Sequence, residues 1–152
     1  MRNLDCNGSL TMQVQPRWAS VALQTIFFLW LVAGAAIFIA PLDFYNLAPG
    51  VTLFGPFNSH FVRDVGLVYM ASGLMGLAGH RLSQPQLYLW ASLWSALHAV
   101  FHMHVWMHRG FPIDHIFLFD LFAVIAPPFI VWFIYWRLGS FRGEREIGND
   151  QP

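Results

Sequence analysis

Apolar residues dominate four long stretches of the chain, and short polar or turn-forming segments separate them. Each stretch is close to the ~20 residues that a helix needs to cross the ~30 Å hydrocarbon layer of a bilayer. The four stretches are residues 18–40, 60–80, 86–107 and 115–136. The pattern predicts an all-α fold, namely an integral membrane four-helix bundle. We expect residues 1–152 to form one transmembrane domain that ends in a polar tail at 138–152.

The connections between these stretches carry their own signals. Residues 41–59 are more than a turn requires and include many apolar side chains, so we expect them to lie on the membrane surface. Within this segment, Asn58 or Ser59 is predicted to cap the second helix. Pro127 and Pro128 are expected to bend the fourth helix, because proline lacks a backbone donor and clashes with the preceding turn.

Composition agrees with a membrane protein. The chain is 57% hydrophobic and only 11% charged, and its mean hydropathy is +0.50, which is outside the usual soluble range. Its basic residues are all arginines, and they are balanced by acids, so no basic patch suggests nucleic-acid binding. The single cysteine, Cys6, excludes an internal disulfide and a metal site built from cysteines.

Arginines also predict the orientation, because positive charge near span ends stays on the cytoplasmic side. The first connection has no arginine and the third has only Arg109. With Arg63, at the start of the second span, left out of the count, the other arginines belong to the two termini and the second connection; they are Arg2, Arg17, Arg81, Arg137, Arg142 and Arg145. We therefore expect both termini to be cytoplasmic and the protein to be a multi-pass inner-membrane protein if it is bacterial.

The segment HAVFHMHVWMH, residues 98–108, is histidine-rich within an apolar stretch. Residues four apart share a face of a helix, so His98 and His102 form one pair and His104 and His108 form another. The 100° step per residue rotates the second pair about 120° from the first. The two pairs are therefore expected to have different surroundings, with the second pair at the outer rim.

Helical rise brings three polar residues from different spans to one level. Asp64 lies roughly 24 Å above the inner end of the second span, and His102 lies roughly 24 Å above that of the third. Asp120 lies roughly 7.5 Å below the outer end of the fourth span, which is near the same level. Ionisable groups inside a span are costly, so we expect both carboxylates to face the bundle and to find partners there.

These residues define a candidate metal site in the outer half of the bundle. Imidazole and carboxylate groups together bind copper, zinc or iron, and an i, i+4 pair on a helix can present two ligands to one ion. Arg63 would then be an outer partner of the anionic site. The expected metal ligands are His98, His102, Asp64, Asp120 and His60.

Simpler explanations exist for each group. His98 and His102 could hydrogen-bond between helices, and Arg63 with Asp64 could form a buried ion pair that orders the bundle. If no metal binds, Asp64 and Asp120 beside imidazoles become candidates for a proton relay. His104 and His108 suit an ordinary membrane interface.

The four-span plan and the segment HFVRDVGLVYMASGLMGLAGH, residues 60–80, resemble small, largely uncharacterised bacterial inner-membrane proteins of the DoxX-like kind. The resemblance extends over residues 18–136. It implies a four-helix membrane fold but no functional residues, and the histidine-rich third span goes beyond that plan.

Three functions remain open from the sequence. The first is a metal-binding membrane protein with a redox or metal-handling role. The second is a non-catalytic accessory subunit that packs against other membrane subunits, or against copies of itself, within the bilayer. The third is a haem b protein with two histidine ligands, for which His98 lacks an imidazole at its own level on the second span. The hydrolase motifs HExxH and GxSxG do not occur.

Overall fold

The computed structural model describes the backbone of residues 2–4, 10–12 and 16–149 and the side chains of residues 16–137. Cys6 lies outside these residues. Two short strands, β1 (Arg2–Leu4) and β2 (Leu10–Met12), pair antiparallel ahead of the first helix. The rest of the described chain is helices and their connections, which agrees with the predicted all-α class.

Three long helices begin and end within one or two residues of predicted spans: α1 (Arg17–Ile39), α3 (Ser59–Arg81) and α4 (Gln86–His108). The fourth predicted span consists of α5 (His115–Phe119), a π-helical segment (Asp120–Ile125) and α6 (Ala126–Asn149).

Three stretches of the described residues are long and apolar enough to cross a membrane, namely Arg17–Ile39, Ser59–Arg81 and His115–Arg137. They indicate a membrane protein. The helix α4 is equally long but is not one of these three, because its histidines, serines and Gln86 lower its hydropathy.

The long connection between α1 and α3 contains the short helix α2 (Pro41–Leu47) and a 3-10 turn (Val51–Phe54). Asn58 then caps α3, because its side-chain oxygen accepts hydrogen bonds from the backbone N–H groups of His60 and Phe61. The predicted cap is thus confirmed at Asn58.

The helices α1 and α3 make the closest contact between long helices, and glycine permits it. A Cβ atom on Gly34 would lie 2.5 Å from the carbonyl oxygen of Gly66, and one on Gly73 would lie 2.6 Å from that of Phe27. Backbones can approach this closely only where side chains are absent, as in other membrane helix pairs. This contact determines which face of α3 is turned inward.

Aromatic side chains fill the space beside this contact. The ring of Phe27 lies 5.5 Å from Trp30 and 5.8 Å from Tyr88, between ring centroids. Tyr88 belongs to α4, which packs against α3 on one side and against the π-helical segment and α6 on the other. The indole N–H of Trp132 on α6 donates to the Ser92 hydroxyl on α4 at 2.9 Å.

The helix type changes ahead of Pro127 and Pro128, where a bend was predicted; the bend itself stays a prediction. The N–H of Ala126 bonds to the carbonyl of Leu121, five residues back, instead of four. Pro127 and Pro128 follow directly, and their rings would clash with carbonyls of a regular α-helical turn. The wider π turn accommodates the proline pair and lets the helix continue.

Substitution of Gly73 by alanine should lower the thermal stability of the purified protein in detergent. The added methyl group meets backbone atoms of α1 that cannot move aside, and such overpacking costs about 1–3 kcal/mol. Ala71→Leu is the matched control, because Ala71 lies on the exposed side of the same helix. Equal melting temperatures for Gly73→Ala and the wild type would contradict the observed α1–α3 contact.

Candidate functional site

The histidines of α4 divide into two groups by exposure. His98 and His102 are partly buried, whereas His104 and His108 are exposed. The rings of each pair contact each other, with centroids 4.6 Å apart for the inner pair and 4.3 Å apart for the outer pair. This confirms the division expected from helix geometry.

The centre of the candidate site is the contact between His102 and Asp120. The Nδ1 atom of His102 lies 3.0 Å from Oδ1 of Asp120, and their side chains are only 20% and 10% exposed. The predicted approach of these two residues is therefore confirmed. Asp120 is the first residue of the π-helical segment, and π turns occur often at functional sites.

The distance and the direction of this contact disagree. At 3.0 Å the atoms are within hydrogen-bonding distance, but Nδ1 of His102 has no partner that also meets the angular requirement. Electrostatic attraction depends mainly on separation, whereas a hydrogen bond also depends on direction. The two groups therefore form an electrostatic pair in the orientation observed.

A second acidic residue supports the position of Asp120. Asp114 caps α5, accepting a hydrogen bond from the backbone N–H of Phe117 at 2.9 Å, and it also pairs with the Arg109 side chain. The Phe117 N–H, followed by Arg109, holds the pKa of the Asp114 carboxyl below its usual value. Because the folded pKa is lowered, the cap is fully effective above the unfolded pKa and is lost as pH falls through the lowered value.

Aromatic rings surround the inner histidines. The Trp94 ring stacks on His98 with centroids 4.7 Å apart, and Tyr69 on α3 contacts Trp94 edge to face at 5.3 Å. The His98 ring in turn contacts the His102 ring, which reaches the Asp120 carboxylate. The site therefore joins residues of α3, α4 and the π-helical segment around one carboxylate.

Asp64 and His60 do not join this group, which corrects the prediction that Asp64 faces the bundle. They form a separate pair, with His60 Nδ1 2.8 Å from Asp64 Oδ2, and their side chains are 53% exposed for Asp64 and 87% for His60. At 100° per residue, Asp64 lies on the side of α3 opposite Val62 and Gly66, which are buried. The glycine contact with α1 turns Asp64 outward.

Arg63 also differs from expectation. Its guanidinium donates to the Ser59 hydroxyl one turn earlier in α3, so the pair with Asp64 that was considered is not formed. Among residues 16–137, no group of three or more His, Cys, Asp or Glu side chains is arranged to hold a metal ion. The five expected ligands are thus separated into two sets. His98, His102 and Asp120 lie together, whereas His60 and Asp64 form an exposed pair on α3.

Comparisons with protein-family models, curated proteins and solved structures find no match. The resemblance to DoxX-like proteins stays a prediction.

Three residues of the site region were not anticipated. Tyr69 and Trp94 have no distinctive sequence signal, because aromatic residues are common along every span. Ser95 is fully buried on α4. The sequence could have indicated its position, because it lies seven residues before His102 on the same helical face. A polar residue at that spacing in an apolar helix marks an inward face.

Replacing the two carboxylates should have unequal effects on stability. Asp120→Asn removes the buried charge that pairs with His102 and should cost more than about 1 kcal/mol, because the pair is buried and removing one partner leaves the other without compensation. Asp64→Asn changes an exposed pair and should cost at most about 1 kcal/mol. Thermal unfolding in detergent measures both, and a larger loss for Asp64→Asn would contradict the observed orientation of α3.

Proposed function

We propose that the protein is a multi-pass membrane protein of four transmembrane helices with both termini in the cytoplasm. In a bacterium it would belong to the inner membrane. The distribution of arginines supports this orientation. Two termini on the same side of the membrane require an even number of spans. The helix α4 must therefore cross the bilayer together with the three other long apolar stretches.

Two observations support α4 as the fourth span. It has 23 residues, which at ~1.5 Å per residue gives roughly 35 Å, enough to cross a bilayer. It packs between α3 and the π-helical segment with α6, so its polar residues Tyr88, Ser92 and Ser95 are buried in protein. A helix in this position can be less apolar than its neighbours, because lipid contacts only its outer face.

We further propose that the centre of His98, His102 and Asp120 takes up and releases protons within the membrane. The observation that supports this most directly is the 3.0 Å contact between His102 and the buried carboxylate of Asp120. An imidazole and a carboxylate within hydrogen-bond reach of each other can pass a proton between them. Ionisable groups at this depth are retained where they serve ion or proton pathways.

The position of the centre gives it access to the outer surface. His102 is six residues below the end of α4, which corresponds to roughly 9 Å. Asp120 is five residues below the start of α5, or roughly 7.5 Å. Protons can therefore reach the pair from the outer interface over a short distance.

Metal binding is a second candidate, and the close inner histidines favour it. His98 and His102 lie with ring centroids 4.6 Å apart, and Asp120 is within reach of His102. Copper, zinc or iron would need a rearrangement of the three side chains, because ligand atoms lie ~2 Å from such ions. His60 and Asp64 are not part of this set in the structure described above.

The proton function is tested by the decay of a pH gradient across proteoliposomes. Wild-type protein should accelerate the decay relative to empty vesicles. Asp120→Asn and His102→Phe should each reduce that excess rate about tenfold or more, since losing a proton-transfer group typically costs ~10²–10⁴-fold. Asp64→Asn is the matched control and should retain the wild-type rate. A wild-type rate equal to that of empty vesicles would refute the proposal.

The metal candidate is tested by metal analysis and optical spectra after titration with copper, zinc or ferrous iron. His102→Ala should greatly reduce bound metal, whereas His104→Ala should change it little, because His104 faces away from the centre. Equal losses in the two variants would exclude a site at His102. A haem spectrum in the purified protein would instead favour the haem b alternative.

A further inference from the structure

His60 and Asp64 form an exposed pair of metal-binding side chains near the start of α3. The Nδ1 atom of His60 lies 2.8 Å from Oδ2 of Asp64. Two ligand atoms held ~2.0–2.1 Å from one tetrahedral zinc ion lie roughly 3.3 Å apart, so zinc could enter between these atoms after a small widening of the contact. Because the two residues are four apart on one helix, both can bind the same ion.

One chain does not complete this site. The side chains of His60 and Asp64 are 87% and 53% exposed, and the guanidinium of Arg63 donates to the Ser59 hydroxyl instead of pairing with Asp64. Among residues 16–137, no third His, Cys, Asp or Glu joins them in a group that could hold a metal. A closed zinc site has four ligands, so two positions remain for a partner.

A second copy of the chain can supply the two missing ligands. Closed dimers are usually two-fold symmetric and use the same surface on both subunits. In a membrane, two copies with the same orientation are related by an axis along the bilayer normal, which keeps corresponding residues at one depth. We infer that two copies pair through the exposed face of α3 around one zinc ion, which is held by His60 and Asp64 of each chain.

Charge balance favours this partner. Two Asp64 carboxylates carry the two negative charges that match Zn²⁺, while two His60 imidazoles bind as neutral ligands. The shared site has no net charge, whereas an ion bound to a single chain would keep a positive one, and charge within an apolar stretch is costly. The exposed pair of His104 and His108 lacks this balance, because it offers only neutral ligands.

The helix surface beside the pair is suited to a parallel copy of itself. Leu67 and Leu74 follow Asp64 on the same side of α3 and are exposed. Leucines seven residues apart pack against the same residues of a parallel helix. The contact of α1 with Gly66 and Gly73 uses the opposite side of α3, so both contacts can exist together.

Zinc-dependent association of the purified chain in detergent tests this inference, with the mass measured by light scattering and zinc by metal analysis. The wild type should be monomeric with EDTA and dimeric with Zn²⁺, and it should bind one more zinc per dimer than Asp64→Asn does. Asp64→Asn and His60→Gln each remove one ligand per chain. Each should weaken the association about tenfold or more, because even outer partners of metal ligands contribute that much.

Two further variants and a stability measurement are the controls. His104→Ala removes an exposed histidine from the other i, i+4 pair and should leave the association unchanged. His102→Ala should also leave it unchanged, which separates this zinc from metal bound at the inner histidines. The melting temperatures of Asp64→Asn and His60→Gln in EDTA should stay close to that of the wild type, because the pair is exposed. A lost dimer is then not a folding defect.

The possible outcomes are distinct. A wild type that stays monomeric with Zn²⁺, dimers that persist in EDTA, or Asp64→Asn dimers that form at the wild-type zinc concentration would each refute the shared site. The centre of His98, His102 and Asp120 has no residue in common with it. Gradient decay therefore tests the proposed function independently of this result.

Discussion

The close contact between α1 and α3 sets the arrangement of everything else. Gly34, Gly66 and Gly73 let two backbones meet without side chains between them, and this fixes the rotation of α3 about its own axis. Tyr69 then points toward α4, while Asp64 points away from the protein. The composition of the polar centre therefore follows from a packing constraint between two helices that contribute little of its chemistry.

The stretch His115–Arg137 meets a second constraint, because two consecutive prolines must be accommodated in a long apolar helix. A π turn before Pro127 and Pro128 allows the helix to continue and begins at Asp120. The widened turn belongs to the segment that packs against α4, and its first residue contacts His102. The site and the distortion of the helix thus share one location, as is common for π turns in functional proteins.

Much of this architecture could be predicted from the chain. The ends of α1, α3 and α4, the separation of the four α4 histidines into two pairs and the approach of His102 to Asp120 follow from hydrophobic length, helical rise and helical angle. Those quantities are local, because they depend only on residue spacing within a helix. The cap on α3 was limited to Asn58 or Ser59 by the preference of such side chains for that position. The prediction that Asp64 faces the bundle is wrong, because depth in the membrane does not determine which side of α3 holds the glycines that contact α1.

Sequence alone therefore determined the extent of α1, α3 and α4 and the common level of His102 and Asp120, since rise per residue and apolar length are properties of a single helix. Only the tertiary structure decided which of those groups meet. The choice of inward face depends on how neighbouring helices pack, and here backbone contact at Gly66 and Gly73 outweighs the burial of Asp64. That carboxylate remains at the surface with His60, while Asp120 enters the interior and pairs with His102.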